Sequence, residues 1–297
     1  MFLLPLISIL FILATLSNAQ FWPEVDEAIL GPVVDSDLLN LVLDDPDFLS
    51  QVRILEAGLD NSTKLEYKNG HIPNAIYFDA AQISNQSDQI IYDIPQPEIF
   101  ENYVSSLGIS NDNDILIYDR TKYGMKASAR AWFLFKLFGH DFVSILDGGF
   151  RDFLSMGYNI TEKISEKPKR KFKVFYRPEL AKSFEEMVGV VKAKNMTILD
   201  AREKSEFDQG QIPTAINVPY SSLFESDTDL LKSDIELWDM IKQKNIDLSE
   251  PIVTYCLKSP RASALMFVLD CLGAEQVSLY VGSWNEWSKR INQTDLV

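Results

Sequence analysis

The chain contains an internal repeat, and this repeat limits the possible folds more than any other feature of the sequence. Four short segments of the first half recur in the same order in the second half, and their spacing changes little. The matched pairs are 53–58 with 197–202, 70–76 with 210–216, 115–119 with 252–256, and 146–150 with 280–284. Because chance similarity does not preserve order, we interpret the sequence as a tandem duplication of one domain.

Each copy alternates short apolar runs with helical patterns. Residues 115–118 and 252–255 are nearly continuous apolar runs of strand length, typical of strands buried on both faces of a parallel sheet. Apolar residues at helical spacing follow each run, and Gly139 and Gly273 stand where C-terminal caps belong. The apolar helix positions are Ala129, Trp132, Phe133 and Leu137 in the first copy and Ala262, Leu265, Met266 and Leu269 in the second. The sequence therefore predicts an α/β protein with two tandem domains, each a parallel sheet flanked by helices.

The repeat also predicts the domain boundaries. We expect the first domain at 20–162, a charged linker at 163–178 and the second domain at 179–297. The linker is rich in Lys and Arg and contains Pro168. We interpret it as a solvated connection in preference to a binding site for an anionic partner.

The first 19 residues are predicted to be a secretory signal peptide. A stretch of about 15 almost continuously apolar residues, shorter than the roughly 20 that a spanning helix needs, precedes the small-x-small sequence Ser17-Asn18-Ala19. An uncleaved membrane anchor is the alternative. Asn-x-Ser/Thr sequons at five positions also indicate the secretory pathway. They are Asn61, Asn85, Asn159, Asn195 and Asn292. We expect a secreted glycoprotein with no membrane contact after cleavage.

The charge and the cysteine count exclude several classes of protein. The chain has 28 Lys+Arg against 43 Asp+Glu, a formal net charge of −15, which disfavours binding to nucleic acid or to anionic membranes. Its 46% of hydrophobic residues is too high for a disordered chain, and two cysteines are too few for a disulfide-stapled mini-protein. Two histidines and two cysteines also offer no evident metal cluster.

Cys256 is the candidate nucleophile. It ends a predicted strand, and in parallel α/β sheets ligands bind where such a strand turns through a short loop into a helix. Loop N–H groups, the positive end of the helix dipole and the cations Lys258 and Arg261 would favour the thiolate over the thiol. The loop itself consists of Leu257, Lys258, Ser259 and Pro260. The alternative is a small buried core residue.

The second cysteine and an arginine at another strand end are the remaining candidate residues of the second copy. Cys271 ends the helical pattern and is interpreted as a core side chain, too far along the helix to form a disulfide with Cys256. Arg202 follows another predicted strand and is expected to point at the same pocket as Cys256, with a surface ion pair to Glu203 or Glu206 as the alternative. In the first copy Arg202 is replaced by Gly58 and Cys256 by Asp119, which favours one functional unit.

Together these motifs resemble those of the tandem rhodanese-type sulfurtransferases. The resemblance rests on Asp-Ala-Arg at a strand end, Gly-x-Ile-Pro-x-Ala-Ile, Tyr-Cys before a cationic loop, and the segment 282–287, and it covers nearly all of the mature chain. It implies that the second domain is catalytic and that the first, with Asp119 at the cysteine position, is not.

The resemblance also implies a reaction that needs no cofactor and no metal. Cys256 would take the outer sulfur of a small anionic donor, thiosulfate or 3-mercaptopyruvate, form a persulfide, and pass the sulfur to cyanide or a thiol. Arg202, Lys258 and Arg261 would bind the donor. Lys258 is similar to the thiosulfate type, whereas Ser259 and Pro260 depart from the family pattern, with Ser259 in place of the usual Gly.

Other first-domain residues and other functions stay open. Asp60 and His71 lie near positions that form a proton relay in the mercaptopyruvate type, and His71 is interpreted as a structural residue of its loop. A cysteine-dependent phosphatase is the nearest alternative enzyme, but the loop between Cys256 and Arg261 is one residue shorter than a phosphate-binding loop. A secreted binding module with a decayed site is the third interpretation, based on Ser259 and Pro260.

Overall fold

The first domain is built on a sheet of five parallel strands. The computed structural model describes residues 28–85 and 90–291. The strands are β1 (Val33–Val34), β2 (Val52–Gly58), β3 (Ile76–Asp79), β4 (Asp114–Tyr118) and β5 (Val143–Leu146). Their order across the sheet is β1-β5-β4-β2-β3, and every pair is parallel. The sheet is buried on both faces, which explains why β4 is apolar almost throughout.

Helices cover both faces of this sheet. They are α1 (Ser36–Val42), α2 (Pro46–Gln51), α3 (Asn61–Lys68), α4 (Pro97–Ser106), α5 (Ala127–Leu137) and α6 (Gly149–Ser155). Helix α5 is buried around almost its whole circumference, because it packs against the sheet on one side and against the second domain on the other. Gly139 follows it at φ +86°, the left-handed conformation predicted for a C-terminal cap.

The second domain repeats this architecture. Its strands are β6 (Ala181–Lys182), β7 (Thr197–Asp200), β8 (Ile216–Asn217), β9 (Ile252–Tyr255) and β10 (Val277–Tyr280), in the order β6-β10-β9-β7-β8. Its helices are α7 (Phe184–Ala193), α8 (Lys204–Phe207), α9 (Asp234–Gln243), α10 (Pro260–Cys271) and α11 (Ser283–Arg290), with 3₁₀ turns at Pro178–Leu180 and Tyr220–Leu223. The predicted α/β class with two tandem domains is confirmed, and Gly273 caps α10 at φ +82° as Gly139 caps α5.

One hydrophobic cluster extends across both domains, and each domain has a further cluster of its own. Helix α5 of the first domain packs against α10 of the second, and Trp132 meets Phe267 edge to face with ring centroids 5.3 Å apart. Nearer the carboxyl ends of the strands, the ring of Tyr123 stacks on that of Phe224 at 4.3 Å. Burial of these aromatic surfaces holds the two domains against each other and fixes the cleft between them.

The segment between the domains is attached to the first domain. Most of its charged side chains are exposed, as expected for a solvated connection. Phe172, however, is fully buried in the core and packs edge to face on Phe100. Arg177 then forms two 2.7 Å hydrogen bonds with Asp141. In the part of the chain that the structure describes, no helix is both long enough and apolar enough to cross a bilayer.

Candidate active site

A cleft of about 470 Å³ lies between the domains at the carboxyl ends of the strands. The second domain contributes the loop that leaves β9, and the first domain contributes the equivalent loop after β4 together with the start of α3. The second-domain lining residues are Cys256, Leu257, Lys258, Pro260 and Arg261. Four of the predicted site residues and the candidate nucleophile are therefore brought together, in the place where α/β sheets bind ligands.

Cys256 lies at the base of this cleft, directly after β9. It is 1% exposed and its thiol is free. Its backbone is held on both sides, because Cys256 N–H donates to Ser283 Oγ (3.3 Å) and Cys256 O accepts from Trp284 N–H (2.9 Å). The start of α11 thus fixes the loop that carries the cysteine, which gives the 282–287 segment of the sequence a structural role.

The loop after Cys256 turns sharply at Ser259. This residue is fully buried at φ +85°, a left-handed conformation that non-glycine residues rarely adopt, and its Oγ has no hydrogen-bond partner among the described residues. Pro260 then begins α10, where its missing N–H leaves no intrahelical hydrogen bond unmade. Ser259 therefore shapes the turn at a cost in backbone strain.

Arg261 lies at the edge of the cleft in a bidentate pair with Glu206. The two hydrogen bonds, from Nη1 and Nη2, measure 2.6 and 2.9 Å. Burial alone lowers the pKa of Arg261, but the bonds to Glu206 and the nearness of Cys256 outweigh it and leave the pKa raised. The cation is close to the nucleophile, and a carboxylate neutralises much of its charge. Lys258, by contrast, is exposed at the mouth of the cleft.

Arg202 is not among the residues that line the cleft. Its guanidinium is 2% exposed, pairs with Asp200 (Nη2–Oδ2 2.6 Å), donates to the carbonyl oxygen of Gly210 (2.7 Å) and lies 4.5 Å from the centroid of the Trp284 ring. This arrangement differs from the prediction that Arg202 points at the same pocket as Cys256. Arg202 instead connects β7 to the Gly-x-Ile-Pro loop and to α11.

The first domain makes the same connection with an arginine from another strand end. Arg120, which follows β4, pairs with Glu56 (Nε–Oε1 2.5 Å), donates to the carbonyl oxygen of Gly70, and lies 3.7 Å from the centroid of the Phe150 ring. Gly58, the sequence counterpart of Arg202, has no room for a side chain, because a Cβ there would lie 1.9 Å from Tyr77 Oη. The glycine at the sequence counterpart of Arg202 thus has a structural explanation that does not involve Asp119.

Asp119, which takes the position of Cys256 in the first domain, is held by backbone N–H groups at the start of a helix. Its Oδ2 accepts hydrogen bonds from the backbone N–H groups of Lys126 (2.7 Å), Ala127 (2.5 Å) and Ser128 (2.9 Å), at the start of α5. The helix dipole and these donors stabilise the negative charge. By its place relative to the helix start, Pro260 corresponds to Ala127, so the second-domain cradle has one N–H fewer.

Much of the first-domain wall of the cleft consists of residues that no sequence motif indicates. Lys126 and Tyr92 line it, as do several residues at the start of α3. Those α3 residues are Asp60, Ser62, Thr63 and Glu66. Asp60 caps α3 by accepting from Thr63 N–H (3.0 Å), and its position near a relay residue of the resembled family was the one available signal. No sequence pattern connects Tyr92 or Lys126 to Cys256, since only the domain packing brings them together.

Comparison with known proteins agrees with this architecture. The Rhodanese-like domain family matches residues 48–156 and again 181–290. The chain belongs to the rhodanese family. Thiosulfate sulfurtransferase of Gallus gallus is 32% identical over 252 residues, which cover 80% of this chain and 87% of that protein. The 3-mercaptopyruvate sulfurtransferase of Mus musculus is 30% identical over 80% of this chain and 84% of its own length. The chain is therefore a sulfurtransferase enzyme.

A solved structure supports the same assignment. The 3-mercaptopyruvate sulfurtransferase SseA of Escherichia coli superposes with a TM-score of 0.75 at 27% identity, over 86% of this chain and 99% of that one. The resemblance to tandem rhodanese-type sulfurtransferases is thus confirmed over both domains.

The remaining candidate residues of this rhodanese-family enzyme lie outside the cleft. His71 is fully buried, stacks on Tyr67 at 4.0 Å, and has its ring nitrogens near the carbonyl oxygens of Tyr67 (2.7 Å) and Lys163 (3.2 Å), consistent with a structural role. Cys271 is a free, buried thiol, and burial raises its pKa well above the ordinary value. Within 28–85 and 90–291, no group of three or more His, Cys, Asp or Glu side chains forms a metal-binding cluster.

The sequon asparagines that the structure describes are all exposed. Asn61, the first residue of α3, lies next to residues that line the cleft, whereas Asn159 and Asn195 lie in loops away from it. Asn292 and the predicted signal peptide 1–19 lie outside the described residues. Whether these asparagines carry glycans stays a prediction.

We predict that Ser259→Gly stabilises the enzyme by about 1 kcal/mol, since glycine removes both the left-handed strain and a buried unpartnered hydroxyl, against a smaller entropic loss. The free energy of unfolding from urea titration measures it. Ser263→Gly is the matched control within α10. It should destabilise by about 1 kcal/mol, because glycine is unfavourable inside a helix. Equal losses in both variants would show that Ser259 is not strained.

Proposed function

We propose that this sulfurtransferase moves a sulfane sulfur from thiosulfate or 3-mercaptopyruvate to cyanide or a thiol through a persulfide on Cys256. The observation that carries the proposal is the position of Cys256 at the base of a cleft between the domains, with Lys258 at its mouth and Arg261 at its edge. Relatives named thiosulfate and 3-mercaptopyruvate sulfurtransferase support both donors.

The proposed reaction has two steps, each a displacement at sulfur. With thiosulfate, the Cys256 thiolate attacks the outer sulfur, the S–S bond of the donor breaks, and sulfite leaves with the bonding electron pair. With 3-mercaptopyruvate, the C–S bond breaks and the persulfide proton passes to the enolate of pyruvate. Cyanide then attacks the outer sulfur of the persulfide, forms thiocyanate, and returns the thiolate; a thiol acceptor would carry the sulfur away as its own persulfide.

Both donors are small anions, and the cleft offers them cations in an otherwise acidic chain. Lys258 is exposed and lines the cleft, where it can meet a donor, and Lys126 lines the same cleft from the first domain. By analogy with the N–H groups that donate to Asp119 at the start of α5, we expect the start of α10 to stabilise negative charge at Cys256. The guanidinium of Arg202 is buried and paired with Asp200, which does not support a role in binding the donor. We therefore assign donor binding to Lys258 and Arg261.

The first test is a mass label on Cys256. After incubation with thiosulfate or 3-mercaptopyruvate, the peptide that contains Cys256 should gain about 32 Da for one sulfur. Cys256→Ser should lose both the label and thiocyanate production from cyanide, whereas Cys271→Ser, the matched control, should keep both. Absence of the label with both donors would overturn the proposal.

A second test concerns the pair between Arg261 and Glu206. Glu206→Gln should lower the KM for thiosulfate about threefold or more, because the freed guanidinium can then pair with the donor. The hydrogen bond from Arg261 lowers the pKa of Glu206, so the pair is intact at pH 7 and the assay belongs there. Asp208→Asn is the control, since it removes a nearby charge whose partner is Lys204. An unchanged or higher KM in Glu206→Gln would exclude Arg261 from donor binding.

Two other functions make different predictions from the same variants. A phosphatase would hydrolyse an aryl phosphate with the wild-type enzyme and not with Cys256→Ser, and the short loop with Pro260 disfavours so large a group. A binding module would be inactive in both assays. The strained Ser259 is the observation that favours it, yet the loop keeps Cys256 in the cleft with two cations beside it.

We further propose that the protein enters the secretory pathway. Exposure of Asn61, Asn85, Asn159 and Asn195 supports this, because glycosylation requires accessible side chains. The full chain expressed in cultured animal cells should appear in the medium and gain electrophoretic mobility after peptide-N-glycosidase treatment. A control chain without residues 2–19 should stay in the cells without glycans. A full chain that also stays inside, unglycosylated, would contradict the proposal.

A further inference from the structure

A fully buried arginine of the first domain lies behind the wall of the cleft. Arg130, on α5, is 0% exposed. Its Nη2 donates to the carbonyl oxygens of Tyr92 (2.7 Å) and Asp93 (3.3 Å). Its Nε and Nη1 have no hydrogen-bond partner among the described residues. A buried cation with unused donors is costly, so its presence needs an explanation.

The position of Arg130 connects it to the site of sulfur transfer. Tyr92, to which it donates, lines the cleft, and so does Ala127, one helical turn before it on α5. Helix α5 packs against α10, which begins four residues after Cys256. The guanidinium therefore lies where α5 approaches the cysteine loop, across the boundary between the domains.

The charges around Arg130 do not cancel it completely. Burial lowers its pKa to about 10, against the opposing attraction of Asp93 and of Cys256, so the group is cationic at neutral pH. Its hydrogen bond to Asp93 reaches the backbone carbonyl, while the carboxylate of Asp93 accepts from Ile94 N–H (2.7 Å). The side chain of Cys256 is thus also within electrostatic reach of Arg130.

We propose that Arg130 is a positioning residue that holds negative charge at the Cys256 sulfur, in the thiolate and in the persulfide alike. The inference rests on the proposed function for its persulfide half. It gives the first domain, which carries Asp119 in place of a nucleophile, a direct part in the reaction of the second. Its Nε and Nη1 have no acceptor among the described residues, so the charge of Arg130 is poorly compensated, and a low-dielectric setting strengthens its attraction for a nearby anion.

The test compares an anionic with a neutral alkylating reagent. Iodoacetate and iodoacetamide react with the same thiolate, so the ratio of their rates at Cys256 reports the local positive potential. Each rate is read from the Cys256 peptide by mass spectrometry, which separates it from Cys271. We expect the ratio to exceed that of glutathione in the wild type, to fall about tenfold in Arg130→Met, and to recover in large part in Arg130→Lys.

Arg53→Met is the matched control, because Arg53 is another buried arginine of the first domain whose guanidinium donates to backbone carbonyls, such as that of Gly108 (3.2 Å). Its ratio should equal that of the wild type, even if its melting temperature falls. With thiosulfate, Arg130→Met should lose about tenfold in kcat with little change in KM, since the charge it holds is on the enzyme.

Several results would overturn the inference about Arg130. A folded Arg130→Met with the wild-type ratio overturns the inference, and so does an equal fall in Arg53→Met. If Arg130→Met does not fold, Arg130→Gln replaces it under the same criterion. A wild-type ratio no higher than that of glutathione overturns the inference without any variant. Alkylation does not require sulfur transfer, so a missing 32 Da label beside a ratio that depends on Arg130 would refute the proposed function and leave the thiolate half of this inference standing.

Discussion

In each domain, a buried ion pair between an arginine and a carboxylate holds the carboxyl ends of the strands in place. In each domain the carboxylate lies on the second strand along the chain and is in register with a tyrosine of the neighbouring strand in the sheet. Glu56 on β2 is paired with Tyr118 on β4, and Asp200 on β7 with Tyr255 on β9. Each tyrosine hydroxyl accepts the N–H of the Ile in the Gly-x-Ile-Pro loop at 3.1 Å. The arginine of each pair also donates to the carbonyl oxygen of the glycine that begins this loop, Gly70 or Gly210. Because one missing partner would leave a buried charge uncompensated, loop and strands depend on the whole set.

The repeat predicted most of the fold, because duplicated apolar runs and their glycine caps depend on local sequence alone. The strands at 115–118 and 252–255 and the helices after them are found where the pattern puts them. The pattern failed at Arg202. Alignment of the copies pairs it with Gly58, whereas in space its counterpart is Arg120, which comes from a different strand end. The two copies fill one structural position from two places in the chain, and only the folded arrangement reveals this.

The site was predictable on the side of the nucleophile and not on the opposite side. Cys256 and its loop follow from a strand, a short turn and a helix, all local. Arg130, Lys126 and Tyr92 reach the same region only because α5 packs on α10, a contact between segments more than a hundred residues apart. Such positions carry no motif: in the sequence, Arg130 is one of three polar residues in an otherwise apolar helix, with Ser128 and Lys136. The shared core that joins the domains thus also assembles the candidate active site.

The loop of Asp119 in the first domain offers a comparison for the loop of Cys256 in the second. Asp119 fills the cradle at the start of α5 with a carboxylate that belongs to the chain, held by three backbone N–H groups, so that this site is permanently occupied. Cys256 has the same place before α10 with a side chain one atom shorter in reach and no carboxylate. The persulfide of the proposed reaction would add one sulfur atom, with negative charge, to this shorter side chain. Under the proposed function, the missing N–H at Pro260 leaves part of the stabilisation of that sulfur to charges outside the loop, and a buried cation of the first domain can supply this part.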